Sequence, residues 1–481
     1  MKSINMLAAV AALALSSAGF ASAQTIHVTG STAFRVAVVS AEVQVCGGLT
    51  AKASYFQNTS LTGSNYSIVT NSSGSLVFTN FFNGSIAGDE ALVDGVTTLG
   101  FPNGSDLAPT TIASVGTASN GGANGAVESS TYTASSYAFA STPAKADIAM
   151  SDVAFTTAQK IILASTDHTT VTPTTDNKVG IIPFVFVLNP STDVTSTVTG
   201  LSMDAQKFTY TWQSAGSAFL SFYTGNSADN ATTIYPMGRD VDSGTRATAL
   251  AETGYTLLGS GANAITLSVA QYFPYGSTSD VSGGDGGSGS TSDIVGWGAT
   301  SAVPTFAGAA SGTAIAAFGL VPAESIDGYA MAQGDGGFYS GGNLATALST
   351  VNSDTATVNG AGPTVAIGYL GVSDAKSALT ASGTNRVHGV LMNYNGAKID
   401  PSTGNPMSST SISAIEQGQY TFWGTEHLFS KDNNAQGTGL STNVTAMINA
   451  LTVSSLDEES SYGVTISAMA VSRSGDGLNV Q

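Results

Sequence analysis

Apolar and polar positions divide the chain into short strands and helices that follow one another along most of its length. The most apolar segment, VGIIPFVFVLN at residues 179–189, predicts a strand that is buried on both faces. Residues 146–152 and 364–370 predict two further strands, and a helical segment follows each of them. Residues 462–471 predict a closing strand. Strands that alternate with helices in this way predict an α/β fold.

Turns of small residues precede two helices in the N-terminal part of the chain. Gly-Ser-Thr at 30–32 precedes a helix predicted at 33–45, with Ser31 or Thr32 as its cap. A second turn, NGSIAG, precedes a helix expected to begin near Asp89. A helix start offers unpaired N–H groups and the positive end of the helix dipole, which suits an anion. Taken alone, however, the first turn fits an ordinary connection between a strand and a helix better than an anion site.

A third turn, GRDVDSGTR at 238–246, carries the strongest candidate chemistry. It runs into a helix predicted at 247–253, which Ser243 or Thr245 would cap. Arg239 supplies a planar guanidinium of the kind that binds oxyanions through two parallel hydrogen bonds. A helix start with hydroxyl groups and one arginine beside it is a typical way to hold a tetrahedral oxyanion.

Asp152 ends the strand predicted at 146–152, and the carboxyl end of a strand is where α/β proteins place their ligands. The other interpretation of this aspartate is a helix cap, which the local sequence supports equally well.

Composition limits the classes of function that remain open. The chain has 481 residues, enough for two or three domains, and 42% of them are hydrophobic, which favours a folded core over disorder. Its formal net charge of −18 argues against nucleic-acid binding through a general electrostatic field. Cys46 is the only cysteine, so an intrachain disulfide is excluded.

Residues 1–23 have the pattern of a secretory leader, with Lys2 ahead of an apolar run and an expected cleavage after Ala23. Residue 24 is Gln24, so a lipid anchor on a cysteine at that position is excluded, and no later apolar run is long enough to span a bilayer. We therefore expect a periplasmic or extracellular protein without membrane insertion.

The motifs of common enzymes and metal sites are missing from the sequence. There is no G-x-S-x-G turn, no nucleotide-binding lysine loop and no closely spaced histidine pair. The aspartates of the low-complexity loop at 279–293 fit no standard calcium loop. We therefore predict a protein that is not an enzyme and that holds neither a cofactor nor a metal.

The order of these motifs resembles that of the periplasmic phosphate-binding protein of the ABC phosphate transporter, a type II periplasmic solute-binding protein. The Arg-x-x-x-Ser-Gly-Thr spacing is the sharpest element of the resemblance. The matching blocks are GSTAFR at 30–35, ADIAMSDVAF at 146–155, GIIPFVFVLN at 180–189, RDVDSGTRAT at 239–248, AIGYLGVSDA at 366–375 and GQYTFWGTEHLF at 418–429.

The resemblance implies a two-lobed fold, with a cleft that closes on its ligand. The first lobe would combine residues 24–183 with 420–481 and carry a β-rich insertion at 47–145, and the second would span 184–419. The implied phosphate-binding residues are Thr32, Ala33, Ser85, Asp152, Arg239, Ser243, Gly244 and Thr245. The implied function is the capture of inorganic phosphate or a related tetrahedral oxyanion by a monomer, for uptake by an ABC permease.

Asp152 would also discriminate between oxyanions, because hydrogen phosphate has a proton that a carboxylate can accept, whereas sulfate has none. The chain departs from the family pattern at Val241, where an acid is usual, and in the length of the insertion at 47–145. The long insertion, the low content of charged residues and the lack of a lipid-anchor cysteine leave open an alternative, a non-transport structural protein of the cell envelope or surface that is built on the same scaffold.

Overall fold

The computed structural model describes most of the chain between residues 23 and 481. The described residues are 23–56, 64–94, 99–102, 110–111, 114–115, 123–124, 127–128, 143–162, 173, 175–213, 218–255, 269–276, 313–326, 329–354, 356–357, 360–402, 407–452 and 463–481. Residues 1–22 of the predicted leader, the loop at 279–293 and much of the predicted insertion at 47–145 lie outside the described residues.

Strands and helices are interleaved along the described chain, so the α/β class is confirmed. The strands are β1 Gln24–Gly30, β2 Lys52–Phe56, β3 Tyr66–Thr70, β4 Leu76–Phe81, β5 Thr110–Thr111, β6 Ser114–Val115, β7 Ala123–Asn124, β8 Val127–Glu128, β9 Ile148–Ser151, β10 Thr175–Pro190, β11 Ser202–Met203, β12 Ala218–Phe219, β13 Thr233–Pro236, β14 Tyr272–Tyr275, β15 Ala317–Leu320, β16 Glu324–Ile326, β17 Tyr329–Met331, β18 Ala356–Thr357, β19 Gly360–Ala361, β20 Thr364–Gly371, β21 Val390–Leu391, β22 Asn393–Tyr394 and β23 Trp423–Ser430. The helices are α1 Arg35–Val45, α2 Ser85–Asp94, α3 Phe155–Ile162, α4 Ala205–Gln213, α5 Ser221–Thr224, α6 Gly244–Glu252, α7 Gly341–Ala347, α8 Val372–Leu379, α9 Ser409–Glu416 and α10 Thr438–Thr452.

One mixed sheet organises the molecule, with the order β12-β13-β20-β10-β23-β9-β1-β4-β3-β2-β5 along its main path. Strand β10 joins its two halves. Up to Pro183 it pairs with β23, and from Phe184 onward it pairs with β20. Sixteen residues long and buried from Val179 to Asn189, β10 is the strand that the apolar run at 179–189 predicts. The lobe limits at 183/184 and 419/420 stay a prediction.

The turns after β1 and β4 are packed against each other. A Cβ on Gly88 of α2 would lie 2.5 Å from the Cα of Gly30 at the end of β1. The helix and the strand therefore approach each other so closely that only glycine fits at position 88. The first residues of α2 are thereby held beside the turn that follows β1.

Several element boundaries differ from the sequence-based expectation. Helix α6, predicted at 247–253, already begins at Gly244, because Ser243 caps it. The first helix begins at Arg35 rather than at residue 33, because the Ser31 hydroxyl accepts the N–H of Phe34 in a turn ahead of it. Helix α2 begins at Ser85 rather than near Asp89, directly after Gly84, whose φ is +111°. Residues 462–471, expected to form a closing strand, make only a bridge from Val464 to Ile181 and one 3-10 turn within the described part.

The second half of β10 carries an aromatic core. Phe186 stacks on Phe422 with ring centroids 4.8 Å apart, and Phe208 stacks on Trp212 at 4.3 Å. Across the part of the chain that the structure describes, no helix is both long enough and apolar enough to span a bilayer.

Candidate functional site

Three of the predicted turns meet at Asp152, which directly follows β9 and is 2% exposed. Its N–H donates to the Ser85 hydroxyl at 3.2 Å, and its carboxylate accepts hydrogen bonds from the Ser31 hydroxyl and, at 3.4 Å, from that of Thr245. Ser31 and Ser85 come from the predicted first lobe and Thr245 from the predicted second. Segments that are far apart in sequence therefore converge on one buried carboxylate.

Gly244 brings the start of α6 into direct contact with this group. A Cβ at this position would lie 2.2 Å from Ser85 Oγ and 2.9 Å from Asp152 Oδ2. Beside it, the N–H of Ile86 donates to the carbonyl of Asp242 at 2.9 Å. The third turn thus packs directly against the second one, and the space at Gly244 is too small for a side chain.

Ser243 is the cap of α6, which settles one alternative that the sequence left open. Its backbone is extended, and its hydroxyl accepts the N–H of Arg246 at 3.3 Å. The Thr245 side chain turns instead to Asp152. Capping by Ser243 leaves the early N–H groups of α6 at the contact between the turns.

Arg239 is 2% exposed, and two of its nitrogens are held by backbone carbonyls. Its Nε donates to the carbonyl of Phe338 at 3.0 Å, and Nη2 donates to that of Tyr339 at 2.7 Å. The sequence suggested that the Arg239 guanidinium binds an anion through two parallel hydrogen bonds. In the structure, two of its nitrogens instead donate to backbone carbonyls, which fix the orientation of the guanidinium. The positive charge remains close to Asp152, where it lowers the pKa of that carboxyl against the larger opposing effect of burial.

A second guanidinium, that of Arg35, belongs to the same neighbourhood and is not among the site residues predicted from the sequence. Its Nη1 donates to the side chain of Asn65 at 2.7 Å. Burial lowers its pKa, Asp374 of α8 opposes this, and the positive charge of Arg239 lowers the pKa further. Arg35 stands inside the GSTAFR block that carries the resemblance, so its position in that motif was the available signal.

Asp374 balances part of this charge. Burial raises the pKa of its carboxyl, and the nearby Arg35 and Arg239 lower it. Asp374 is therefore a counter-charge that Arg35 and Arg239 share beside the turns.

Thr32 and Ala33 lie in the buried turn before α1. Ala33 Cβ is 3.5 Å from the position that a Cβ on Gly371 would take at the start of α8. It is Ser31, not the nominated Thr32, that bonds to Asp152. Among the nominated residues, Ser85, Gly244 and Thr245 thus lie against Asp152, and Arg239 acts on its charge. The anion-binding role of all eight stays a prediction.

Buried acids complete the region. Asp89 of α2 is fully buried and accepts a hydrogen bond from the Ser151 hydroxyl at 2.8 Å. Glu426 of β23 is also fully buried, and burial, then the negative charge of Asp152, raise the pKa of its carboxyl well above the ordinary value. No local pattern in the sequence pointed to Glu426, because its place beside Asp152 depends on the pairing of two distant strands.

No protein-family model and no curated protein sequence matches the chain. Among solved structures, it is similar to a candidate substrate-binding protein of a phosphate ABC transporter from Clostridium perfringens, solved with bound phosphate, at 10% identity and a TM-score of 0.38 over 92% of this chain and 100% of that one. PstS from Borrelia burgdorferi matches at 11% identity and a TM-score of 0.34, over 92% of this chain and 98% of that one. A phosphate-binding candidate from Planctomyces limnophilus matches at 11% identity and a TM-score of 0.35, over 92% and 94%. Similarity at this level does not establish a shared family.

Proposed function

We propose that this chain is a secreted, two-lobed solute-binding protein that captures inorganic phosphate or a related tetrahedral oxyanion between its lobes. The observation that carries the proposal is the meeting of three glycine- and hydroxyl-bearing turns at Asp152, with Arg239 close enough to act on its charge. Helix starts and hydroxyl groups around an arginine are suited to the oxygens of a small anion.

The distribution of charge supports the same function. The chain has only 14 lysines and arginines against 32 acids, yet Arg35 and Arg239 lie close enough together for each charge to act on Asp374. Local charges at a few ångströms outweigh the screened field of distant ones, so an acidic protein can hold an anion at such a place.

Asp152 is the proposed discriminator. Ionised, it accepts a hydrogen bond from the proton that hydrogen phosphate retains, whereas sulfate would bring an unprotonated oxygen against the carboxylate. The site is therefore proposed to reject sulfate.

Binding would be coupled to movement of the lobes. The predicted crossings at 183/184 and 419/420 are two hinge segments, and β10 changes its pairing partner at the first of them. Delivery of the ligand to an ABC permease by a monomer of the mature protein is the expected biological role.

Calorimetry with the mature protein tests the proposal. We expect heat of binding with phosphate and none with sulfate, and the substitution Arg239→Ala should weaken phosphate binding by about 2 kcal/mol or more because it removes a buried charge-assisted group. Arg386→Ala is the matched control, since Arg386 also donates to a backbone carbonyl in the predicted second lobe but belongs to another cluster. Absence of heat with phosphate would favour the structural role in the cell envelope.

A further inference from the structure

Glu426 lies directly opposite Asp152 on the neighbouring strand. Strands β23 and β9 are antiparallel, and His427 is paired with Ser151, so the next position of the ladder brings Glu426 and Asp152 face to face. Residues opposite each other in this way point to the same side of the sheet, with their Cβ atoms about 5 Å apart. A Cβ at Gly424 would lie 2.5 Å from the carbonyl oxygen of Asp152, so the two backbones stay close here.

Among the residues that the structure describes, none supplies a positive charge that lowers the pKa of Glu426. The side chain is fully buried, and no donor among the described residues reaches either of its oxygens. Across the β10 ladder its partner is Gly180, which has no side chain.

The charged groups on the neighbouring elements act on residues other than Glu426 or carry the same sign as its ionised form. Asp152 and Asp89 are acids that raise the pKa of Glu426, after the larger effect of burial. His427 bonds to Asp176 at 2.7 Å, and on α6 Arg246 donates to the Arg239 carbonyl while Glu252 pairs with Arg473. Arg239 acts on Asp152.

Two carboxyl groups in this arrangement cannot both be ionised without a large cost, because they are buried, adjacent and of like charge. The proton goes to the group whose ionised form is less well stabilised. Asp152 has hydroxyl donors from Ser31 and Thr245 and the charge of Arg239, and Glu426 has none of these. Asp152 is therefore the ionised member of the pair, and Glu426 is the protonated one.

We propose that Glu426 is a positioning residue of the anion site, which in its protonated form donates a hydrogen bond to Asp152 and keeps the pair at a single negative charge. This inference rests on the proposed function. A carboxylate has about four acceptor positions. With Ser31, Thr245 and Glu426 as donors, one position of Asp152 is left for the proton of a bound hydrogen phosphate.

The charge of the pair determines how binding depends on pH. If Glu426 loses its proton, two negative charges face the anion, and binding then requires the uptake of a proton. Affinity should consequently fall as the pH rises through the ionisation of Glu426, by about tenfold for each pH unit.

Calorimetry with inorganic phosphate from about pH 8 to about pH 10, where the ligand keeps one proton, tests this prediction on the mature protein. Glu426→Gln retains the shape and a donor but cannot ionise, so its affinity should stay within about threefold of the wild type at the lower pH and should not fall with rising pH. Glu42→Gln is the matched control: Glu42 is another fully buried glutamate, bonded to Asn80 in the core away from the site, and this variant should follow the wild type. A Glu426→Gln variant that loses binding at the lower pH, or whose affinity falls in parallel with that of the wild type, would overturn the proposal.

A second measurement needs no ligand and therefore separates this inference from the proposed function. Infrared difference spectra of the wild type and Glu426→Gln at neutral pH should show a protonated carboxyl band that only the wild type has. If both proteins bind phosphate without pH dependence, the infrared band shows whether Glu426 is protonated. A band that is present means that Glu426 keeps its proton over the whole pH range. A band that is absent rules the proposal out. If no variant binds phosphate but the band is present, the pair stands and the proposed function fails.

Discussion

Gly244 lies where a side chain on one predicted lobe would collide with the other. Its Cα faces Ser85 and Asp152, and the shortest distance to a Cβ built at this position is 2.2 Å. The requirement is one of space rather than of backbone conformation, since Gly244 is not among the residues with positive φ. The glycine of the Ser-Gly-Thr motif is thus explained by the contact between the turns.

Gly244→Ala should weaken phosphate binding by at least about tenfold, or about 1.4 kcal/mol, because the methyl group holds the turns apart. Alanine is a better helix former than glycine by about 1 kcal/mol, so the start of α6 itself should not be harmed. Calorimetry with phosphate and the circular dichroism of the free variant measure the two effects separately.

The control for this substitution is Gly342→Ala in the first turn of α7. A Cβ at Gly342 would meet nothing closer than 3.8 Å, which is ordinary contact. Equal affinities of the two variants would show that the close approach at Gly244 has no part in binding.

At the scale of elements, the sequence was informative where one segment determines its own structure. The apolar run at 179–189 lies within β10, and the Ser-Gly-Thr motif forms the start of α6 with Ser243 as its cap. Local patterns of this kind reflect burial and capping, which neighbouring residues decide.

The sequence did not predict the contacts that depend on the register of distant strands. Glu426 stands opposite Asp152 because β23 pairs with β9, and Arg35 acts on Asp374 because α1 and α8 begin at the same place in the fold. Periodicity shows which face of a strand is buried but not which strand lies beside it. The start of α2 was misplaced for a related reason: the helix was expected to begin near Asp89, whereas Asp89 lies within it as a buried partner of Ser151.

Helix α1 carries a buried carboxyl group whose protonation should affect the stability of the protein. Its buried face includes Glu42, which accepts a hydrogen bond from Asn80 of β4 at 2.7 Å. Burial raises the pKa of the Glu42 carboxyl to about 8, and the bond from Asn80 opposes this. The folded state therefore binds this proton more tightly than the unfolded state, and the resulting stability is lost as the pH rises through about 8.

Glu42→Gln cannot ionise, so it should be more stable than the wild type at alkaline pH and nearly equal to it below the ordinary pKa of a glutamate. At about 1.4 kcal/mol for each pKa unit, we expect a gain of a few kcal/mol in the free energy of unfolding. Urea denaturation at an acidic and an alkaline pH measures it. A difference between the two proteins that is the same at both pH values would contradict the proposed cause.

At the scale of the whole molecule, the C-terminal segment at 463–481 joins elements of both predicted lobes. Arg473 forms a salt bridge of 2.7 Å with Glu252 at the end of α6, and it donates to the carbonyls of Thr421 and Trp423. Asp476 accepts the N–H of Ala154 ahead of α3 at 2.9 Å. The segment therefore links the helix that carries the Ser-Gly-Thr motif to the strand end that carries Asp152.

Arg473→Ala should destabilise the folded protein by about 3 to 5 kcal/mol, because it leaves the carboxylate of Glu252 buried without its partner. The two side chains are only 6% and 7% exposed, and the Arg473 guanidinium also lies 4.2 Å from the ring centroid of Trp423. Thermal denaturation of the mature protein, followed by the fluorescence of Trp423 and the other tryptophans, measures the loss.

The exposed pair of Lys398 and Asp400 is the matched comparison. Its atoms are 3.5 Å apart and the lysine side chain is 54% exposed, so water and salt screen the attraction, and Lys398→Ala should change stability by less than about 1 kcal/mol. High salt should reduce the small loss of stability caused by Lys398→Ala. It should not change the large loss caused by Arg473→Ala, since salt screens a buried pair only weakly. If the two substitutions cost the same, the buried pair of Arg473 and Glu252 contributes no more to stability than an exposed pair, and the C-terminal segment does not hold the predicted lobes together.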